Sequence, residues 1–370
     1  MRALIASSAT GGHIYPALAI AEEISRRAPE AEFLFVGAKW EIGKDIVRAA
    51  GYRQEFIDVS GFDRRNPLKS IKALCGLMRA SGEIKKIIRD FKPDICIGTG
   101  GHVAGPVIRM ARKAGVRTMI QEQNVIPGMA NKLAEKYAER VFVGFKETAG
   151  YFKDGAKVVV SGNPVRAAFA EAAARRGEVR ALYGISEGAF CVFFFGGSQG
   201  AGAINDAAID AMTLLGSSGE TEPGAEYYFF LVTGRDYYGD IKAKAGNMAS
   251  CTVMEYADAI YELYAAADLI VSRAGALTVT EIVDSGKASI LVPSPNVTNN
   301  HQYYNAKALA DGGAAVLLPE DELTGERLAV EMQALAADKE VFEAMSVAAA
   351  GLARADAAKV IADEIFGSPA

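Results

Sequence analysis

Short, uninterrupted apolar runs recur along this chain, each followed by a glycine-rich or polar turn and then a longer amphipathic segment. Parallel strands buried on both faces read as continuous apolar runs, and strands that alternate with helices build α/β folds. A first series comprises Ala3–Ala6, Phe33–Val36, Asp94–Ile97, Arg117–Ile120, Val141–Val143 and Val158–Val160. A second comprises Cys191–Phe195, Tyr228–Val232, Thr252–Met254, Leu269–Val271, Ile290–Val292 and Ala315–Leu318. Amphipathic segments such as Pro16–Arg27 and Ile204–Leu215 lie between them. Both series open alike, with Ala3–Ala6 leading into Ser7–Gly12 and Cys191–Phe195 into Gly196–Gly202. Each opening reads as the first strand-to-helix turn of a Rossmann-like unit. The turn Gly162-Asn163-Pro164 marks the seam. Two such domains are expected to set the carboxyl ends of their strands across one cleft, where open α/β sheets bind ligands.

Length and composition fit this division. The chain has 370 residues, half of them apolar, enough to give each of two domains its own core. A net charge of −5 argues against a nucleic-acid partner. Cys75, Cys96, Cys191 and Cys251 are scattered without a CxxC pair, as expected for free thiols in a reducing cytoplasm. The apolar start Met1–Ala6 runs straight into glycines, so no signal peptide is expected. No run approaches the ~20 apolar residues that span a bilayer, so membrane contact is expected to be peripheral.

Four glycine-rich segments follow strands: Thr10-Gly11-Gly12-His13, Gly98-Thr99-Gly100-Gly101-His102, Gly196-Gly197-Ser198-Gln199-Gly200-Ala201 and Arg273-Ala274-Gly275-Ala276. Without a Cβ the backbone approaches a ligand closely, and the helix behind offers unpaired N–H groups and a positive dipole end. Phosphate or pyrophosphate suits such turns. A tight turn with no ligand is the alternative for any one of them. None is a Walker A or dinucleotide G-x-G-x-x-G motif.

The three histidines, His13, His102 and His301, fall in or beside such loops, and His13 is the first candidate for general acid or base work. Gln121-Glu122-Gln123-Asn124 ends an apolar strand and is expected to project polar side chains into the cleft. Glu122 reads as a second base or an assistant, and Asn124 as a sugar-hydroxyl partner. Glu281, on the first turns of the helix after the fourth loop, can accept both hydroxyls of a ribose; a carboxylate stabilised there by the helix dipole alone is the other reading. With no Asp-x-Asp and no His/Cys cluster, no tightly bound metal and no cofactor are expected. A leaving pyrophosphate would then rest on helix N-termini and on Arg166 or Arg273.

Residues 61–92 hold nine basic side chains against three acidic ones. Leu68, Ile71, Leu74, Leu77 and Met78 lie among them at near-helical spacing, a basic amphipathic face suited to an anionic leaflet. The later part, Ile84–Ile88, reads as a helix packed on the sheet.

Taken in order, the motifs resemble the MurG family of bacterial N-acetylglucosaminyltransferases over nearly the whole chain. The resemblance rests on Thr10–Ala17, Gly98–Pro106, Glu122–Asn124, Gly162–Arg166, Gly196–Ala201, Arg273–Glu281 and Gln302–Ala306. It departs at Gln121, where the family commonly has histidine, so that position is read as non-essential. The resemblance implies a GT-B fold, with an acceptor- and membrane-binding domain over 1–163, a donor domain over 164–354 and a final helix in 355–370 that returns to the first domain. It implies inverting transfer from UDP-N-acetylglucosamine to undecaprenyl-pyrophosphoryl-MurNAc-pentapeptide (lipid I), for peptidoglycan synthesis at the cytoplasmic face of the membrane. Partners in cell-wall synthesis and division come with that role.

The family's donor contacts carry over to Ser198 at the pyrophosphate, Glu281 at the ribose and Gln302 at the sugar hydroxyls. Ala276, Leu277, Thr278, Val279 and Thr280 would run along the nucleotide-sugar, and the loop at Ala257 would meet the uracil. Thr10, Gly11, Gly12, Asn124 and Arg166 would complete the donor contacts. Gly11, Gly12, His13, Gly100, Gly101 and His102 would cradle the acceptor pyrophosphate, with His13 and Glu122 as catalytic residues. A transferase with another lipid acceptor, a UDP-GlcNAc 2-epimerase and a non-catalytic nucleotide-sugar sensor remain as alternatives.

Overall fold

The computed structural model describes residues 1–7, 11–39, 44–59, 80–217, 226–246, 248 and 250–367. The membrane candidates Leu68, Ile71, Leu74, Leu77 and Met78, the donor candidate Thr10 and Cys75 lie outside these residues. Two compact units result, one of Met1–Val165 with Arg354–Ala370 and one of Arg166–Ala353.

The first unit holds β1 (Arg2–Ser7), β2 (Glu32–Ala38), β3 (Arg53–Ile57), β4 (Ile95–Gly100), β5 (Arg117–Glu122), β6 (Arg140–Val143) and β7 (Val158–Val160) in the order β3-β2-β1-β4-β5-β6-β7. The second holds β8 (Phe190–Phe195), β9 (Tyr227–Val232), β10 (Cys251–Met254), β11 (Leu269–Ser272), β12 (Ala288–Leu291) and β13 (Ala315–Leu317) in the order β10-β9-β8-β11-β12-β13. Every pairing is parallel. The chain reverses its direction of travel across the sheet between β1 and β4 in the first unit and between β8 and β11 in the second. These are the topological switch points, where flanking loops diverge and leave room for a ligand.

Period-two geometry explains the apolar runs. Leu4 and Ala6 of β1 point into one core, which they share with Val103, Val107 and Ile108 of the helix Gly101–Lys113. Ala3 packs on the opposite face with Ile20, Ile24, Ile361 and Ile365, and Ile5 with Ile14 and Leu18. In β8, Val192 and Phe194 join the main core of the second unit, while Phe193 and Phe195 turn to Tyr264 on the other face. The helix Ala357–Phe366 packs into the first unit, tied by Arg27 to Asp363 at 2.6 Å and Arg140 to Glu364 at 2.8 Å. Ile84 and Ile88 are buried against the first sheet, as the spacing of that stretch predicted.

β3 falls outside the expected apolar runs. Its sequence opens with the polar run Arg53-Gln54-Glu55, its exposure alternates at the sheet edge and only Ile57 is buried, so no continuous apolar run announces it. The first helix also differs, starting at Gly11 rather than at Pro16. Among the described residues no helix is long and apolar enough to cross a membrane. Cys96 and Cys191 are buried and Cys251 half-buried, all free. Burial pushes the Cys191 thiol up to about 12 and Cys251 to about 11, which leaves them poor nucleophiles.

Candidate functional site

Two expected loops are shorter than their glycines suggest. Gly11, Gly12 and His13 form the first turn of the helix Gly11–Arg27, and Gly98, Thr99 and Gly100 end β4 itself. The helix Gly101–Lys113 then starts without an intervening loop, with His102 in its first turn. The glycines allow this abrupt change: Gly100 has φ +116° and Gly101 φ +76°. A Cβ on Gly100 would come 2.6 Å from Nδ1 of His13, so the imidazole lies directly over that α-carbon.

β5 lies beside β4 and delivers the polar run. Gln121, Glu122 and Gln123 are buried, contrary to the expectation that they project into open space. Nδ1 of His13 lies 2.9 Å from Oε1 of Gln123. Gln123 Nε2 donates to the Thr99 carbonyl at 2.6 Å and also to the Oε1 of Gln121. Gln121 Nε2 donates to Asn163 Oδ1 at 2.8 Å, and Asn163 Nδ2 donates to the Gln123 carbonyl at 3.0 Å. Gln121, read from the sequence as non-essential, is thus the middle of a closed amide network.

Glu122 occupies a different environment. Its Oε1 accepts from the backbone N–H of Asn124 at 3.0 Å and from Asn124 Nδ2 at 3.2 Å. Its Oε2 accepts from the N–H of Gly128 at 3.0 Å and from Asn131 Nδ2 at 2.9 Å. Four donors satisfy the carboxylate, so this geometry makes it a clamp for the 124–131 segment. The hydroxyls of Ser7 and Thr99, at the carboxyl ends of β1 and β4, are buried with no hydrogen-bond partner among the described residues.

In the second unit, β8 ends at the exposed turn Ser198-Gln199, and β11 runs into the helix Ala276–Asp284. Gly200 has φ +79° and Gly234 φ +83°, and each backbone presses on the other's loop with no room for a Cβ. Ala276, Val279 and Thr280 are buried, and the Val279 N–H is spent on the Gly275 carbonyl. Leu277 and Thr278 are only partly covered. Ala257 is half-buried in the loop after β10. Gln302 Oε1 accepts from the Ser294 N–H at 2.9 Å.

Glu281 receives a hydrogen bond from the Tyr264 hydroxyl at 3.3 Å. Burial pushes its carboxyl up to about 7, against the opposing pull of the Arg166 charge. Arg166 stands 5.4 Å from the centre of the Phe169 ring. Arg273 is otherwise engaged: its guanidinium pairs with Glu320 and donates to the carbonyls of Val292 and Pro293, so its charge is already taken up inside the unit. His301 is placed by its own helix start, with Nδ1 2.8 Å from the Thr298 carbonyl. Among the described residues no group of His, Cys, Asp and Glu is arranged to hold a metal ion.

The models described as the glycosyltransferase family 28 N-terminal and C-terminal domains match residues 4–143 and 191–361. A relative from Alkaliphilus oremlandii is 40% identical over 368 residues, covering 99% of this chain and 98% of its own. The chain belongs to glycosyltransferase family 28 and, within it, to the MurG family. That Alkaliphilus relative is named UDP-N-acetylglucosamine–N-acetylmuramyl-(pentapeptide) pyrophosphoryl-undecaprenol N-acetylglucosamine transferase. A MurG-family relative of the same name from Bacillus cereus is 38% identical over 361 residues, 97% of this chain and 96% of its own. The crystal structure of Acinetobacter baumannii MurG superposes with a TM-score of 0.77 at 25% identity, over 99% of both chains. The UDP-GlcNAc 2-epimerase of Neisseria meningitidis shares the fold, with a TM-score of 0.69 at 13% identity over 99% of this chain and all of its own.

Proposed function

We propose that this chain transfers N-acetylglucosamine from UDP-GlcNAc to the C4 hydroxyl of MurNAc in undecaprenyl-pyrophosphoryl-MurNAc-pentapeptide, giving lipid II with inversion at the sugar carbon. The observation that carries this reading is the end-to-end identity of 40% with a transferase of that name. The second unit takes the donor. The N–H groups of the first turn of the helix Ala276–Asp284, with Ser198 on the neighbouring turn, meet its diphosphate, and Glu281 accepts the ribose hydroxyls. Arg166, beside Glu281, offers the charge that Arg273 has already committed elsewhere. The first unit takes the acceptor pyrophosphate at the helix starts Gly11–His13 and Gly101–His102.

The reaction is one displacement. His13 removes the C4 hydroxyl proton as that oxygen attacks the anomeric carbon, and the bond to UDP breaks with its electron pair passing to the diphosphate. General-base assistance is worth about 10²–10⁴-fold. Glu122 acts by holding Asn124 and the segment behind it, not by taking the proton. No metal is invoked, and transfer should persist in chelator. We place the protein peripherally at the cytoplasmic face of the membrane, where its lipid substrate resides.

The test incubates the chain with UDP-GlcNAc and a short-chain lipid I analogue and looks for the disaccharide. Conversion of UDP-GlcNAc to its 2-epimer without acceptor would replace this reading with the epimerase one.

A further inference from the structure

We infer that Gln123 is the positioning residue that holds His13 with Nδ1 protonated and Nε2 free to accept a proton. Three amides are fixed in orientation around the ring. Asn163 Nδ2 faces the Gln123 carbonyl, which can only accept, so its Oδ1 must face Gln121. Gln121 Nε2 faces that oxygen and the Glu122 carbonyl, so its own Oε1 must face Gln123. Gln123 Nε2 faces the carbonyls of Thr99 and Gln121 together with that Oε1. Each amide is anchored by a backbone carbonyl, and reversing any one would set oxygen against oxygen in a dry interior.

The last oxygen in the chain is therefore Gln123 Oε1, 2.9 Å from Nδ1 of His13. An oxygen with no proton leaves one role for that ring nitrogen: Nδ1–H donates, and the neutral ring keeps its lone pair on Nε2. Free neutral imidazole in a histidine side chain favours the opposite tautomer, so the network works against the intrinsic preference. Gly100 leaves room for the ring at that spot, since a Cβ there would lie 2.6 Å from Nδ1. The partner is an amide rather than a carboxylate, so it orients the ring without adding a negative charge that would favour imidazolium. Its relevance to turnover rests on the proposed role of His13 as base, whereas the tautomer itself does not.

The full chain labelled with ¹⁵N-histidine reports this directly, because it has only three histidines and His13→Gln assigns the one in question. At a pH where the ring is neutral, long-range ¹H–¹⁵N correlation should show His13 protonated at Nδ1. Gln123→Met, close in volume but without an acceptor, should return the ring to Nε2–H and lower kcat on the order of 10–100-fold with KM for UDP-GlcNAc unchanged. Gln123→Glu keeps an acceptor oxygen toward the ring but sets its other oxygen against the carbonyls of Thr99 and Gln121, so it should retain Nδ1–H while lowering the melting temperature. Nε2–H in the wild type overturns the inference, and this spectrum decides even where Gln123→Met does not fold. A tautomer that switches while kcat stays constant removes the positioning role and, with it, His13 as base. Absence of lipid II product from the wild type would instead refute the proposed function and leave the tautomer standing.

Discussion

The Tyr264 hydroxyl donates to the Glu281 carboxylate at 3.3 Å, joining a helix on one side of β8 to the carboxylate that would hold the donor ribose. Burial pushes this carboxyl from 4.5 to about 7. The folded chain therefore keeps a proton between those pH values that the unfolded chain has released. Stability from this group is fully present below 4.5 and falls as pH rises toward about 7. Glu281→Gln should flatten that fall, so that its melting temperature drops less than wild type between pH 5 and pH 8, while UDP binding weakens. Parallel calorimetric profiles for the two proteins would contradict the assignment.

Lys287 presents the opposite sign. Burial, reinforced by the neighbouring Arg176 charge, lowers its ammonium from 10.5 to about 8, with Asp268 opposing. Its Nζ donates to the carbonyls of Ala265 and Ala267 at the end of the helix Ile260–Ala266. Between pH 8 and 10.5 the unfolded chain holds a proton that the folded chain has lost, so this group adds stability as pH rises. Urea midpoints of Lys287→Met should gain less over that interval than those of the wild type.

Gly100→Ala tests the seat of His13. The new methyl needs a strained backbone at φ +116° and meets the imidazole at 2.6 Å. A displaced base costs roughly 10²-fold in turnover. UDP affinity, which belongs to the other unit in this reading, should remain within error when measured by calorimetric titration. Unchanged kcat would show that the ring position is immaterial.

Glu122→Gln separates clamp from base. The substitution turns an NH₂ group toward donors that the carboxylate satisfies, costing roughly 1–3 kcal/mol. The melting temperature should fall together with activity, and Asn131→Ala should reproduce part of both losses. Full thermal stability with a large loss in kcat would return Glu122 to the role of base.

How much could be read from residues alone depends on how local the cause is. Twelve of the described strands announce themselves as apolar runs, most of them because both faces are covered, while the edge strands β7 and β10 stay apolar although only half-buried. The edge strand β3 does not, since it opens on polar residues and Arg53 and Glu55 face water. Glycines located the turns, yet Gly98–Gly100 proved to be strand and Gly11–Gly12 helix, because glycine permits sharp transitions without demanding a loop. The chemical nature of Glu122 was legible, but its four donors were not, and Arg273 looked available until Glu320 was seen against it.

Local pattern by itself determined a parallel α/β chain in two halves, with glycines and histidines gathered where strands turn into helices. Hydrophobic periodicity and backbone permissiveness act over a few residues, so they are written in consecutive letters. Only the tertiary structure decided which of those polar groups meet. His13 and Gln123 are 110 residues apart and come together because β1, β4 and β5 lie side by side in the sheet. Which atom of each donates follows from the backbone carbonyls that the fold sets around them.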